Sequence, residues 1–237
     1  MIDKQLLADC AKEYDIELNE PQLKYLDEYA SLLIEWNEKI NLTAIVEPLE
    51  IAIKHFLDSL LLLKAVKMPQ KAKLIDVGCG AGFPSLPCKI VRTDINLTLL
   101  DSVNKRLNFL REVVATMPLN NVEFLHGRAE EVGKNKQYRE KYDVATARAV
   151  ANLRELSEYC LPLVKVGGVF AALKGYNIEE ELEQSKEAIE LLGGKVEEVI
   201  KFNLPMDNSR SIIIIKKISQ TPQIYPRIPA KIAKFPL

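Results

Sequence analysis

Histidine and tryptophan are scarce in this chain of 237 residues, which carries two of the first and one of the second. Two histidines exclude a multi-histidine metal centre, and no motif stands behind a site built from carboxylates, so no metal is expected. The four cysteines, Cys10, Cys79, Cys88 and Cys160, show neither C-x-x-C nor finger spacing. A chain this long needs no disulfide staples, so reduced thiols follow. No apolar run approaches bilayer length, and the opening MIDKQLLADCAKEYD has acids where a signal peptide has its apolar core; a cytosolic location is expected. Acids are missing from Asn208 onward, where six bases stand (Arg210, Lys216, Lys217, Arg227, Lys231, Lys234). With a net charge of −1 overall, the first 207 residues therefore carry −7. A basic tail on an acidic body suits contact with a polyanion, and equally suits a short solvated tail.

What remains is ordinary for a globular protein: 48% apolar and 27% charged residues, enough for one main domain and an appendage. Up to about residue 70 the apolar residues recur at helical spacing, as in Leu23, Leu26, Ala30, Leu33 and Ile34 after Pro21. From Lys73 short apolar runs alternate with amphipathic segments: KLIDV, LTLLD, VEFLH, YDVATA and GGVFAAL, with helical stretches between them. That alternation predicts βαβ units and a mostly parallel sheet covered by helices on both faces. KVEEVIKF and SIIIIKKI, joined by LPMDNSR, read as a closing antiparallel hairpin. The expected division is a helical segment over 1–70, an α/β domain over 71–218 and an extended basic tail over 219–237, whose prolines oppose regular structure.

LIDVGCGAGFPSLPCKI places Gly78, Gly80 and Gly82 between a strand and a helix, a geometry in which backbone N–H groups can face a ligand. The dinucleotide fingerprint G-x-G-x-x-G/A fails in both registers, ending on Phe83 or on Ser85. The order is D-x-G-x-G-x-G, beginning at Asp76, and it resembles the first motif of class I S-adenosylmethionine-dependent methyltransferases. Asp101, ending LTLLD, stands where a carboxylate would hold ribose hydroxyls, although it could simply cap the next helix. Glu130 is placed to reach an adenine amino group. Phe83 could pack on the cofactor or fill the seam between sheet and helix.

NEKINLTAI, KHFLDSL, DVGCGAGFPSLP, DSVNKRLNFL, GRAEE, TARAVA, LKG and YPRIP, in that order, resemble the RsmG (GidB) family of bacterial 16S ribosomal RNA guanine-N7 methyltransferases. The resemblance spans nearly the whole chain. It implies a Rossmann-like methyltransferase fold with a seven-stranded sheet, S-adenosyl-L-methionine as cofactor and methylation of the guanine at nucleotide 527 of 16S rRNA. It also implies cofactor contacts at Gly78, Phe83, Ala129, Glu130 and Arg148. Ser85, Ile228 and Ala230 depart from the family pattern, the last two in a tail where relatives often show lysine and glycine. Other readings are a methyltransferase for a protein or small molecule, and a non-catalytic ribosome-assembly factor.

Guanine N7 carries a lone pair and no proton, so its methylation needs positioning rather than a general base. Arg or Lys is the natural reader of the O6 and N7 acceptors. Arg148 and Lys174 follow the fourth and fifth strands, at ends that face the ligand crevice in such sheets. His55 and Asp58 lie three apart and would share a helix face, as a hydrogen-bonded pair beside the site or as a structural tie. His126 and Trp36 read as structural, and Lys105, Arg106 and Arg111 as a phosphate-binding stripe or plain surface charge. The expected partner is 16S rRNA or the small subunit, bound by a monomer. Removing residues 221–237 would be expected to weaken RNA binding and spare cofactor affinity.

Overall fold

A computed structural model describes all 237 residues. Three helical stretches precede the sheet: α1 (Lys4–Lys12), α2 (Glu20–Asn37), and a rod made of α3 (Pro48–Glu50), a π-helical stretch (Ile51–Leu57) and α4 (Asp58–Ala65). Local chemistry starts them. Asp3 accepts from the Leu6 N–H at the head of α1, and Asn19 and Gln22 form a reciprocal capping box on α2 with Pro21 in its first turn. The π-helical stretch carries Lys54 and His55, and such stretches recur at functional sites.

The sheet follows: β1 (Lys73–Val77), α5 (Ser85–Val91), β2 (Asn96–Asp101), α6 (Asn104–Ala115), β3 (Val122–His126), α7 (Ala129–Val132), β4 (Tyr142–Arg148), α8 (Leu153–Cys160), β5 (Val164–Gly175), α9 (Glu179–Leu191), β6 (Gly194–Leu204), β7 (Asn208–Lys217) and a last helix, α10 (Pro229–Lys234). Strand order is 3-2-1-4-5-7-6, with β7 antiparallel to both β5 and β6. Side-chain alternation explains the unbroken apolar strands. Ile212 and Ile214 enter one core with Leu74, Leu97 and the N-terminal helices, while Ile213 and Ile215 enter another with Ile75, Phe170 and α8. Leu26, Tyr29, Leu33 and Phe56 thus share a core with the sheet.

Gly82 shows what the N-terminal helices demand of the glycine loop. Its φ is +92°, and a Cβ there would lie 2.5 Å from Tyr29 Oη and 2.7 Å from Leu110 Cδ2. Tyr29 Oη itself donates to the Ala81 carbonyl, so α2 is pinned to the loop. Gly82→Ala should therefore lower the unfolding free energy by about 3 kcal/mol, left-handed strain and overpacking together. Urea denaturation measures this, and a midpoint like wild type would refute it.

The expected extended tail is corrected. Residues after Lys217 fold back over α8, Tyr225 and Ile232 are buried, and α10 forms despite the prolines because Pro229 stands in its first turn, where no N–H is needed. Three of the six bases are also committed. Lys217 is buried with its ammonium on the Leu161 and Leu192 carbonyls and Thr221, Arg227 pairs with Glu158, and Arg210 lies beside Asp58.

Candidate functional site

Two cavities open side by side at the carboxyl ends of the parallel strands. The first, of about 570 Å³, is floored by Val77 and Leu100 and edged by Gly78, Asp101, Ala129 and Glu130. The second, of about 370 Å³, lies between the π-helical stretch and the ends of β4, β5 and β7. Ala149, just after β4, borders both. It has φ +56°, in the left-handed region. Its neighbour Val150 fills the space over Gly78, where a Cβ would come within 2.8 Å of Val150 Cγ2.

The glycine loop is not the ring of free N–H donors expected from its sequence. Gly78 and Cys79 both donate to the Leu100 carbonyl, at 2.8 and 3.0 Å, and Gly80 donates to Asp101 Oδ2 at 2.9 Å. With these donors turned inward on β2, the loop offers no anion nest of the kind that holds a pyrophosphate. Asp76 is also relocated. It is fully buried, its Oδ2 accepts from the Ser85 hydroxyl at 2.6 Å and from the Ser85 N–H at 3.3 Å, and it ties β1 to the start of α5 rather than facing a cavity. Burial pushes its carboxyl up to about 7. Of the three glycines only Gly78 borders the first cavity, since Gly80 serves the loop's turn and Gly82 the contact with Tyr29.

Asp101 does border it. Its side chain is 2% exposed, accepts from the Gly80 and Val103 N–H groups, and stands 3.5 Å from Arg106. Those bonds steady the carboxylate at the mouth of the loop, and it does not cap α6, which has no side-chain cap. Glu130 is 7% exposed, and its nearest cation is Arg128 at 3.8 Å, beyond hydrogen-bond reach. A nearly buried carboxylate with acceptor capacity unused suits a ligand bearing donors. An apolar floor, three carboxylates (Asp101, Glu130 and Glu155) against two arginines (Arg106 and Arg128) and no anion nest together fit a cationic nucleoside such as S-adenosylmethionine.

Phe83 and Arg148 sit elsewhere than the family resemblance implied. Phe83 is buried between Tyr29 and His55, with ring centroids 5.4 and 4.4 Å away and both pairs stacked, so it fills the seam. The Arg148 guanidinium lies 5.0 Å from that ring and faces the second cavity. There Nη1 donates to Asp58 Oδ2 at 2.6 Å and to the Lys54 carbonyl at 3.2 Å, and Nη2 meets His55 Nδ1 at 3.0 Å. His55 and Asp58 are thus not a pair with each other. Arg148 stands between them. Because an arginine can only donate, Nδ1 must be the acceptor, which leaves the proton on Nε2, 2.8 Å from Thr43 Oγ1.

Burial first, and the Arg148 charge second, hold His55 down at about 3. The unfolded chain, with a histidine near 6.5, binds more protons between those values, so the stability that His55 contributes falls as pH drops from about 6.5 towards 3. Asp76 runs in the opposite sense, but it is common to wild type and a His55→Gln variant. The unfolding free-energy difference between the two should change by up to ~1.4 kcal/mol per pH unit across pH 6 to 4, to the detriment of wild type. A difference that stays flat would show that His55 titrates normally.

Lys174 faces the second cavity with its ammonium held by Glu181 and the Ala151 carbonyl, each at 2.7 Å. Two further cations were not picked out from the sequence as site residues. Arg210 approaches Asp58 Oδ1 through Nε at 3.3 Å and keeps 30% of its side chain exposed, and Lys54, 25% exposed, is paired with Glu50. Register places Arg210 here, since Gly175 on β5 pairs with Arg210 on β7. His126 bonds to the Ser102 carbonyl, Trp36 packs on Phe109, and Arg111 lies over Phe124, all away from both cavities.

The family model described as rRNA small subunit methyltransferase G matches residues 22–213. A ribosomal RNA small subunit methyltransferase G from Desulforamulus reducens is 52% identical over 95% of this chain and 95% of its own length. Another, from Alkaliphilus metalliredigens, is 48% identical over 100% of each. Among solved structures, a 16S rRNA (adenine(1408)-N(1))-methyltransferase from Catenulisporales acidiphilia, crystallised with the cosubstrate SAM, overlays with a TM-score of 0.51 at 14% identity, covering 65% of this chain and 88% of that one. At that identity the overlay speaks for the fold alone, a class I methyltransferase sheet. No helix is long and apolar enough to cross a membrane. By the extent and identity of these matches, the chain belongs to the rRNA small subunit methyltransferase G family.

Proposed function

We propose that this protein methylates N7 of the guanine at nucleotide 527 of 16S rRNA, with the cofactor in the first cavity and the target base in the second. S-adenosylmethionine, when bound, supplies an electrophilic methyl group. Asp101 would hold its ribose hydroxyls, Glu130 its adenine amino group, and Gly78 with Ala129 the surfaces against which it lies. The second cavity gathers Lys54, Arg148, Lys174 and Arg210 around a single acid, Asp58. Arg210, the most exposed of these arginines and lysines, would meet O6 of the flipped-out guanosine, Lys54 would exchange its Glu50 partner for a phosphate, and Arg148 would keep both in place.

The observation that carries this reading is the state of the second cavity's titratable groups. Asp58 is 2% exposed and faced by two arginines, and His55 has both nitrogens engaged, so neither is free to accept a substrate proton. A cavity rich in donors with no free base suits a nucleophile that has a lone pair and nothing to lose, as guanine N7 has. It does not suit an exocyclic amine or a protein side chain that must shed a proton. The second cavity takes its walls from residues 1–70 and from the sheet alike, and the proposed enzyme is a monomer acting in the cytosol. Mass spectrometry of 16S rRNA fragments, after incubation of undermethylated small subunits with protein and cofactor, tests the proposal. A methyl group at any other atom or nucleotide, or on a ribosomal protein, would overturn it.

A further inference from the structure

The folded-back tail has a property that its charge does not explain. Pro229 and Ala233, one turn apart on α10, line the first cavity opposite the glycine loop, next to Glu155 and Tyr159 of α8. We infer that residues 221–237 form a strap that completes the cofactor cavity and sets its affinity, with Arg227 and Glu158 as the positioning pair; this rests on the assignment of the first cavity to the cofactor.

The strap is pinned where it must be to hold that wall. Glu158 is fully buried on α8, and the partner its carboxylate has is Arg227, through the N–H at 2.7 Å, Nε at 3.0 and 3.1 Å and Nη2 at 2.7 Å. A carboxylate taken out of water is tolerated only while such bonds persist, so the pair binds the strap to the helix that supplies the cavity's outer side. Arg139, below, donates to the carbonyls of Thr221 and Tyr225 at 2.7 and 2.8 Å, and Arg154 to the main-chain oxygens of Leu237 and Pro236 at 2.6 and 3.2 Å. The segment is thus held by hydrogen bonds before and after α10, and on α10 itself Ile232 is fully buried. Ala233 remains exposed, at the cavity's edge. Basic residues were the reason to expect an RNA arm here, but Arg227 is turned to α8, away from any polyanion.

Two variants separate the wall from the pin. Ala233→Trp changes the wall and leaves the pin, and Glu158→Leu with Arg227→Leu removes the pin without leaving a buried charge unpaired. Calorimetric titration of the full-length proteins with S-adenosylhomocysteine should show Kd raised about tenfold or more in each, with methyl transfer at saturating cofactor within about twofold of wild type. Linkage requires the converse: saturating S-adenosylhomocysteine should slow tryptic cleavage after Lys231 in wild type. A Kd for Ala233→Trp within twofold of wild type, or cleavage unaffected by the ligand, overturns the strap. Asp101→Ala separates this from the underlying assignment, because if that variant binds the ligand as wild type does, the first cavity is not the cofactor site at all.

Discussion

Replacing Arg148 with alanine is expected to lower single-turnover methyl transfer by on the order of 10²–10³-fold. Its guanidinium ties the end of β4 to two other parts of the chain, the rod that supplies the Asp58 carboxylate, the His55 ring and the Lys54 carbonyl, and the glycine loop that supplies the face of Phe83. Without it Asp58 keeps only Arg210, at 3.3 Å, and the cations of the second cavity lose the geometry that a stationary base needs. Breaking a buried pair from one side also destabilises, here by about 3 kcal/mol, the low end for such pairs because Arg210 remains. Arg148→Lys should regain much of that stability but little of the rate, since a point charge cannot serve Asp58 and His55 Nδ1 at once. Cofactor affinity should change by less than about threefold in both variants, because the guanidinium faces away from the first cavity and distant sites contribute nearly independently. Loss of cofactor binding with transfer otherwise normal would return Arg148 to the role implied by family resemblance.

Asp101→Ala should do the reverse, raising the cofactor Kd by roughly 100-fold, as expected for about 3 kcal/mol of charge-assisted hydrogen bonding. Asparagine should be nearly as damaging. Oδ2 accepts from Gly80 and Oδ1 from Val103, so an amide must set its own NH₂ against one of these donors. Transfer measured at saturating cofactor should approach the wild-type rate, because Asp101 borders the first cavity and not the second. Calorimetry for affinity and quenched-flow assays for rate read the two quantities separately. An unchanged Kd would remove the cofactor from the first cavity.

Much of the site's position could be read from residues. The glycine loop after the first strand, the carboxylate ending the second and the arginine ending the fourth all lie at strand ends that face the cavities, as the alternation of apolar runs implied. Their tasks were less legible. Gly82 looks like part of a ligand cradle, yet the atom a side chain would strike is Tyr29 Oη, on a helix far earlier in the chain. Arg210 looks like one charge of a basic tail, but insertion of β7 next to β5 delivers it to the cavity beside Lys174. Prolines after Ile218 suggest an open arm, and no local pattern foretells that Glu158 will be buried facing Arg227.

The sequence by itself determined the class of fold, the place of the ligand loop and the family, because period, turn chemistry and motif order are local properties of the chain. Only the tertiary structure decided which partner each donor and each charge would take. Several acceptors compete for every arginine, and the winner is the one that desolvation leaves within reach. For Arg148 that is Asp58, for Arg227 it is Glu158, and for the loop's own N–H groups it is the end of β2.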